Sequence, residues 1–91
     1  MTDWEWIFVK PKDFREQVLR LPPPVRRNLT STMTLLSESP NPLVYGRKKT
    51  TKYGEFYALK LDNTYRLSYT VQSFKEKKIV IYRVGDHNFV Y

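Results

Sequence analysis

"EFYALKLDNTYRLSYTV", residues 55–71, alternates apolar and polar side chains on both sides of a short polar break. Side chains of an extended strand point alternately to opposite faces, so Tyr57, Leu59 and Leu61 share one face of the first run. Tyr65, Leu67, Tyr69 and Val71 share one face of the second. Two such runs joined by Asp62-Asn63-Thr64 predict a β-hairpin. Both apolar sets must turn toward the core, and residues facing each other across a sheet lie on the same side. The register therefore pairs Leu61 with Tyr65 and Lys60 with Arg66. Like charges directly opposite destabilise a sheet by roughly a few tenths of a kcal/mol or more, unless an anion sits between them. Local rules are broken most often at functional sites, which makes Lys60 and Arg66 candidates for holding a phosphodiester. The competing reading is an exposed pair whose side chains splay into water at little cost.

Upstream of the hairpin, "GRKKTTKYGE" at 46–55 places Arg47, Lys48, Lys49 and Lys52 between Gly46 and Gly54. It reads as a flexible basic loop that follows a nucleic-acid backbone, and Tyr45 and Tyr53 beside it either stack on a base or pack at the edge of the core. Downstream, "QSFKEK" predicts a turn and "KIVIYRV" at 78–84 a last strand carrying Arg83. The tail "IYRVGDHNFVY" then holds the one histidine, His87, four residues before Tyr91.

The N-terminal half is built differently, with all six prolines at or before position 42 and all three glycines after it. "WEWIFV" at 4–9 alternates Trp4, Trp6 and Phe8 with Glu5, Ile7 and Val9, as a strand does. After Pro11, Phe14, Val18 and Leu21 recur at helical spacing, with Asp13 at the end where a carboxylate suits the helix dipole. "PPP" at 22–24 breaks that helix, and Pro24 is acceptable in the first turn of another. Val25, Leu29, Met33 and Leu36 then form one apolar stripe, which "SPNP" at 39–42 ends. The expected architecture is α+β: an N-terminal strand, a helical hairpin and a three-stranded antiparallel meander, in the order β-α-α-β-β-β.

Ninety-one residues suit one domain, spanning 1–91. A 41% hydrophobic and 15% aromatic composition excludes a disordered chain. The absence of cysteine excludes disulfides and thiolate metal sites. The acidic start "MTDWEWIFVK" is unlike a signal peptide, and no apolar run approaches a membrane span, so a cytoplasmic protein without a membrane partner is expected. Charge is more informative. Residues 1–43 hold six Lys/Arg against five Asp/Glu, whereas residues 44–91 hold ten against four, so one half carries +6 of the total +7. Such asymmetry suits a polyanionic partner, through counterion release and electrostatic steering.

A basic loop, the "EFYALKLDNTYRLSYTV" hairpin, a β-branched strand and "RVGDHNFVY" together resemble the RelE/ParE superfamily of bacterial and archaeal toxins. The specific parts are "YRL" at 65–67 and the ending "VG-x-H-x-x-VY" at 84–91; the order of elements corresponds over the whole chain. In the ribonuclease branch of that family, toxins enter the ribosomal A site and cleave the messenger with a basic and aromatic cluster rather than a metal. The resemblance puts Arg66 on the family's "YRL" arginine, Lys60 on one of its two strand lysines and Tyr91 on the tyrosine of the "VY" ending. Ala58 replaces the other lysine, and His87 stands where arginine is frequent. It implies a catalytic set of Arg66, His87, Tyr91 and Lys60, with RNA-binding support from Arg47, Lys48, Lys49, Lys52 and Arg83. No metal or other cofactor is implied. The implied partners are the ribosome, messenger RNA and a cognate antitoxin held in a toxin–antitoxin hetero-oligomer.

Metal-independent RNA cleavage needs a base for the ribose 2′-OH, cations for the charged phosphorane and an acid for the departing 5′-oxygen. Arg66 suits the second role and Lys60 adds a point charge beside it. His87, with an unperturbed pKa of about 6.5, suits the third, and Tyr91 orients the 2′-OH or stacks on a base. The general base is either Lys60 or a group of the ribosome. Two other functions fit the same residues: a gyrase inhibitor of the ParE type that acts by binding, and a non-catalytic module for RNA or an acidic protein.

Overall fold

Trp6, Leu21, Val25, Leu29, Leu36, Leu61, Leu67, Tyr69, Ile79, Ile81 and Val84 form one buried cluster between two helices and a sheet. The computed structural model describes residues 5–52 and 54–86. Its strands are β1 (Ile7–Val9), β2 (Arg47–Thr51), β3 (Gly54–Lys60), β4 (Tyr65–Ser73) and β5 (Lys78–Asp86), and its helices are α1 (Phe14–Leu19) and α2 (Pro23–Ser37). A single 3-10 turn, Pro42–Tyr45, follows α2. The sheet order is β1-β5-β4-β3-β2, with β1 parallel to β5 and all other pairs antiparallel.

Both helices form where the apolar spacing predicts. Leu21, Val25, Leu29 and Leu36 are buried, and Phe14, Val18 and Met33 pack beside them. Pro23 and Pro24 occupy the first turn of α2, where a missing N–H removes no helical bond. At the other end Trp6 ties the first strand to the helix terminus: its N–H donates to the Ser37 carbonyl at 3.0 Å and its indole Nε1 to the Ser39 carbonyl at 2.6 Å. These carbonyls lack partners within the helix, so a buried tryptophan satisfies them while filling the core. Gln17, 4% exposed, joins α1 to the sheet by accepting the Val84 N–H at 2.9 Å.

The α+β class and the order of helices and strands are as expected, with two differences in the sheet. The basic stretch at 46–55, expected as a loop, contains strand β2, hydrogen-bonded to β3 from Arg47↔Ala58 to Thr51↔Gly54. The meander therefore has four strands rather than three. Thr50 and Thr51 favour extended backbone, and Gly54 takes φ 125°, a conformation suited to glycine, so the chain can reverse directly into β3. The first strand is also shorter than 4–9: it spans Ile7–Val9, and Trp4 lies outside the described residues.

Tyr69 anchors the connection between the helical half and the sheet. It is fully buried, and its hydroxyl donates to the Pro42 carbonyl at 2.7 Å. Gly46 passes so close that an added Cβ would lie 2.7 Å from the Tyr69 Oη and 3.1 Å from the Tyr57 Cβ. Here glycine is needed for space. Burial, followed by the proximity of Tyr57, pushes the Tyr69 hydroxyl pKa well above the ordinary tyrosine value.

Candidate nucleic-acid interface

The β3–β4 hairpin has the register that alternation predicts: Tyr57 faces Tyr69, Leu59 faces Leu67 and Lys60 faces Arg66. Leu61 donates its N–H to the Tyr65 carbonyl at 2.9 Å, which closes the ladder at the turn. Asp62 organises that turn, its Oδ1 accepting the N–H groups of Thr64 and Tyr65 at 2.8 and 2.7 Å. Those two bonds hold the Asp62 carboxyl below its usual pKa, helped by the charges of Arg66 and Lys60. Part of the repulsion between the paired cations is thus offset within the turn. Arg66 is fixed as well: its Nη1 donates to the carbonyls of Asp62 at 2.6 Å and Tyr65 at 3.1 Å. A guanidinium has five N–H donors, so this anchoring leaves others for an anion.

Leu59, Leu67, Tyr69, Ile81 and Val84 face the helices, and the alternate strand positions lie on the opposite face. One row across that face reads Arg47, Ala58, Ser68, Arg83, and the next reads Lys60, Arg66, Gly85. Neighbouring strands lie about 4.8 Å apart, and the two rows are offset by about 7 Å along the strands. Small residues therefore occupy the middle, with arginines at both ends of one row and the Lys60–Arg66 pair in the other. Lys49, two residues from Arg47, belongs to the same face. Among the described residues, no strand position on this face is Asp or Glu.

Lys48 is placed differently from its neighbours. It faces Tyr57 on the helix side of the sheet edge and pairs with Glu55 at 3.1 Å, and the hydrogen bond and charge of Glu55 raise its pKa. Lys52 is exposed in the turn between β2 and β3. Tyr45, expected either to stack on a base or to pack at the edge of the core, is 44% exposed at the end of the 3-10 turn and is not among the residues packed on the core. His87 and Tyr91, expected in the catalytic set, and Tyr53 lie outside the described residues.

The structure brings together Arg47, Lys49, Lys60, Arg66 and Arg83, taken from three separate segments of the sequence. It also adds a feature that sequence reading missed, an irregularity of β5 opposite Ser68, where Ser68 pairs with Arg83 but Tyr69 pairs with Ile81. Tyr82 is the extra residue. The available signal was faint: "IYRV" breaks the alternation, because Ile81 and Val84 are both buried while Tyr82 and Arg83 are both exposed.

No protein-family model and no curated protein matches the chain. Solved structures do. A chain of the RelBE2 toxin–antitoxin complex of Mycobacterium tuberculosis aligns with a TM-score of 0.72 and 21% identity over 91% of this chain and 99% of the other. The archaeal RelE–RelB complex of Pyrococcus horikoshii aligns with a TM-score of 0.69 and 21% identity over 89% and 93%. A mutant of the Escherichia coli toxin RelE in the free state aligns with a TM-score of 0.67 and 20% identity over 90% and 83%. At this identity the likeness is one of fold, and it extends over nearly the whole chain. By its architecture this chain has the fold of the RelE toxins.

Proposed function

We propose that the protein is the toxin of a toxin–antitoxin pair and acts as a ribosome-dependent endoribonuclease on messenger RNA. The observation that carries this reading is the Lys60–Arg66 pair, set across one hairpin on a sheet face that gathers three further cations. The turn offsets only part of the repulsion between them, and a phosphodiester placed between the two side chains interacts favourably with both. The RelE fold and the "YRL" and "VG-x-H-x-x-VY" motifs supply the reaction class.

In this reading the ribose 2′-oxygen attacks the adjacent phosphorus as its proton passes to a base, and the bond to the 5′-oxygen breaks. Arg66, oriented by the Asp62 and Tyr65 carbonyls, stabilises the negative charge that builds on the phosphorane, and Lys60 adds a second positive charge. His87 gives a proton to the leaving 5′-oxygen, and Tyr91 orients the 2′-OH. The solved complexes of RelE with RelB support an antitoxin as the natural partner, whose acidic or amphipathic segment covers the cationic face.

The test is to induce the protein in cells and map the 5′ ends of broken messengers, with translation running and with it blocked. New ends that require translation are expected for the wild type and should be strongly reduced for His87→Ala. Absence of new ends in the wild type would remove the nuclease reading. Inhibition of supercoiling by purified gyrase would replace it with the binding toxin.

A further inference from the structure

Tyr82 and Arg83 sit side by side between two buried residues, Ile81 and Val84, and both are exposed. The irregularity that puts them there is pinned on two sides. The Ser68 hydroxyl accepts the Arg83 N–H at 3.0 Å and donates to the Arg83 carbonyl at 3.2 Å. The next N–H, that of Val84, donates to Gln17 Oε1 at 2.9 Å. Ser68 and Gln17 are 2% and 4% exposed; the Gln17 bond is buried and the two Ser68 bonds are partly so, which limits competition from water. A bulge re-aims side chains, and one held this firmly fixes the direction in which they leave the strand.

Tyr82 presents an exposed aromatic ring. It is 44% exposed and makes no hydrogen bond or ring contact with another described residue. As the extra residue of the bulge it has no partner of its own on β4, and beside it Arg83 faces Ser68 and then Ala58, both small. Arg66 and Lys60 lie one and two strands away from β5, in the row next to that of Arg83.

We propose that Tyr82 is a base-stacking residue, receiving the nucleobase adjacent to the phosphate held between Lys60 and Arg66. The proposal rests on the RNA-directed reading above and assigns it a substrate-positioning element: a flat, sequence-tolerant platform on a single-stranded substrate. The bulge is then the device that presents the platform, since regular alternation through Tyr82 and Arg83 would turn one of them toward the core.

A fluorescence titration separates this idea from the reading on which it rests. The probe is a short single-stranded RNA with 2-aminopurine at a central position, whose emission falls when the base stacks. Tyr82→Ala is expected to lose most of the quenching and to bind about tenfold more weakly, with the salt dependence of binding unchanged. Tyr82→Phe should retain both affinity and quenching. Arg66→Ala should lower the salt dependence while keeping the quenching at saturation. Unchanged affinity and quenching in Tyr82→Ala would overturn the stacking role and leave RNA binding intact. Failure of the wild-type protein to bind the RNA at low salt would overturn both.

Discussion

Individual residues on the cationic face divide between anchoring and reaching. Arg66 does both, because one of its nitrogens holds two turn carbonyls while the rest of the guanidinium is free to be aimed at a phosphate. Lysine carries its three donors on one nitrogen and lacks the planar fork that can grip the turn with one nitrogen and a phosphate with the others. Arg66→Ala is therefore expected to slow messenger cleavage about a hundredfold, and Arg66→Lys to recover little of it. Primer-extension rates on a reporter messenger measure both, and a fully active lysine variant would show that charge alone suffices. At Gly46 the limit is space. Gly46→Ala forces a methyl group against the Tyr69 hydroxyl, and a loss of about 1–3 kcal/mol should appear in urea unfolding. Tyr69 also ties stability to pH. Burial raises its pKa in the folded state above the ordinary tyrosine value of about 10, so above that pH the unfolded chain releases a proton that the folded chain retains. Stability is fully present below about pH 10 and falls as pH rises beyond it. Tyr69→Phe should flatten that decline while lowering stability at neutral pH by about 1–2 kcal/mol, because the Pro42 carbonyl loses its donor.

Among the elements, the β3–β4 hairpin was legible residue by residue, because its period of two and its short turn together leave one register that buries both apolar faces. The helices were legible for a similar reason: their stripes are regular and their ends are marked by proline. β2 was not. Its side chains are mainly cationic or threonine, so no apolar alternation marks it, and it becomes a strand because the edge of β3 offers unpaired backbone groups. The bulge in β5 was equally hidden, since one inserted residue looks like ordinary noise in an alternating pattern. It depends on Ser68, whose hydroxyl serves both the N–H and the carbonyl of Arg83. Ser68→Ala should destabilise the protein by about 1–3 kcal/mol, read from the urea midpoint. Hydrogen exchange should become faster at the Arg83 amide than at the amides of α2, and uniform acceleration would mean that Ser68 supports the core in general rather than the bulge.

On the scale of the whole molecule, the basic charge is concentrated where the fold can use it. Seven of the ten Lys/Arg of residues 44–91 lie on strands of a sheet whose apolar face is covered by the N-terminal helices, and several of them emerge together on the other face. Replacing Lys60 and Arg66 together should reduce the slope of log affinity for single-stranded RNA against log salt by roughly 0.7, the amount for one phosphate no longer neutralised. An unchanged slope would place the RNA elsewhere on the surface. What the sequence by itself determined about this protein is whatever local pattern dictates: the α+β class, two helices with their buried stripes, the hairpin register and the pairing of Lys60 with Arg66. Tertiary structure alone decided that β1 lies parallel to β5, that β2 joins the sheet, that Lys48 turns away to Glu55 and that Tyr82 and Arg83 leave β5 on the same side. Periodicity records which face of an element is buried. It does not record which other element supplies the hydrogen bonds at an edge or the hydroxyl that holds a bulge open, because those partners come from residues distant in the chain.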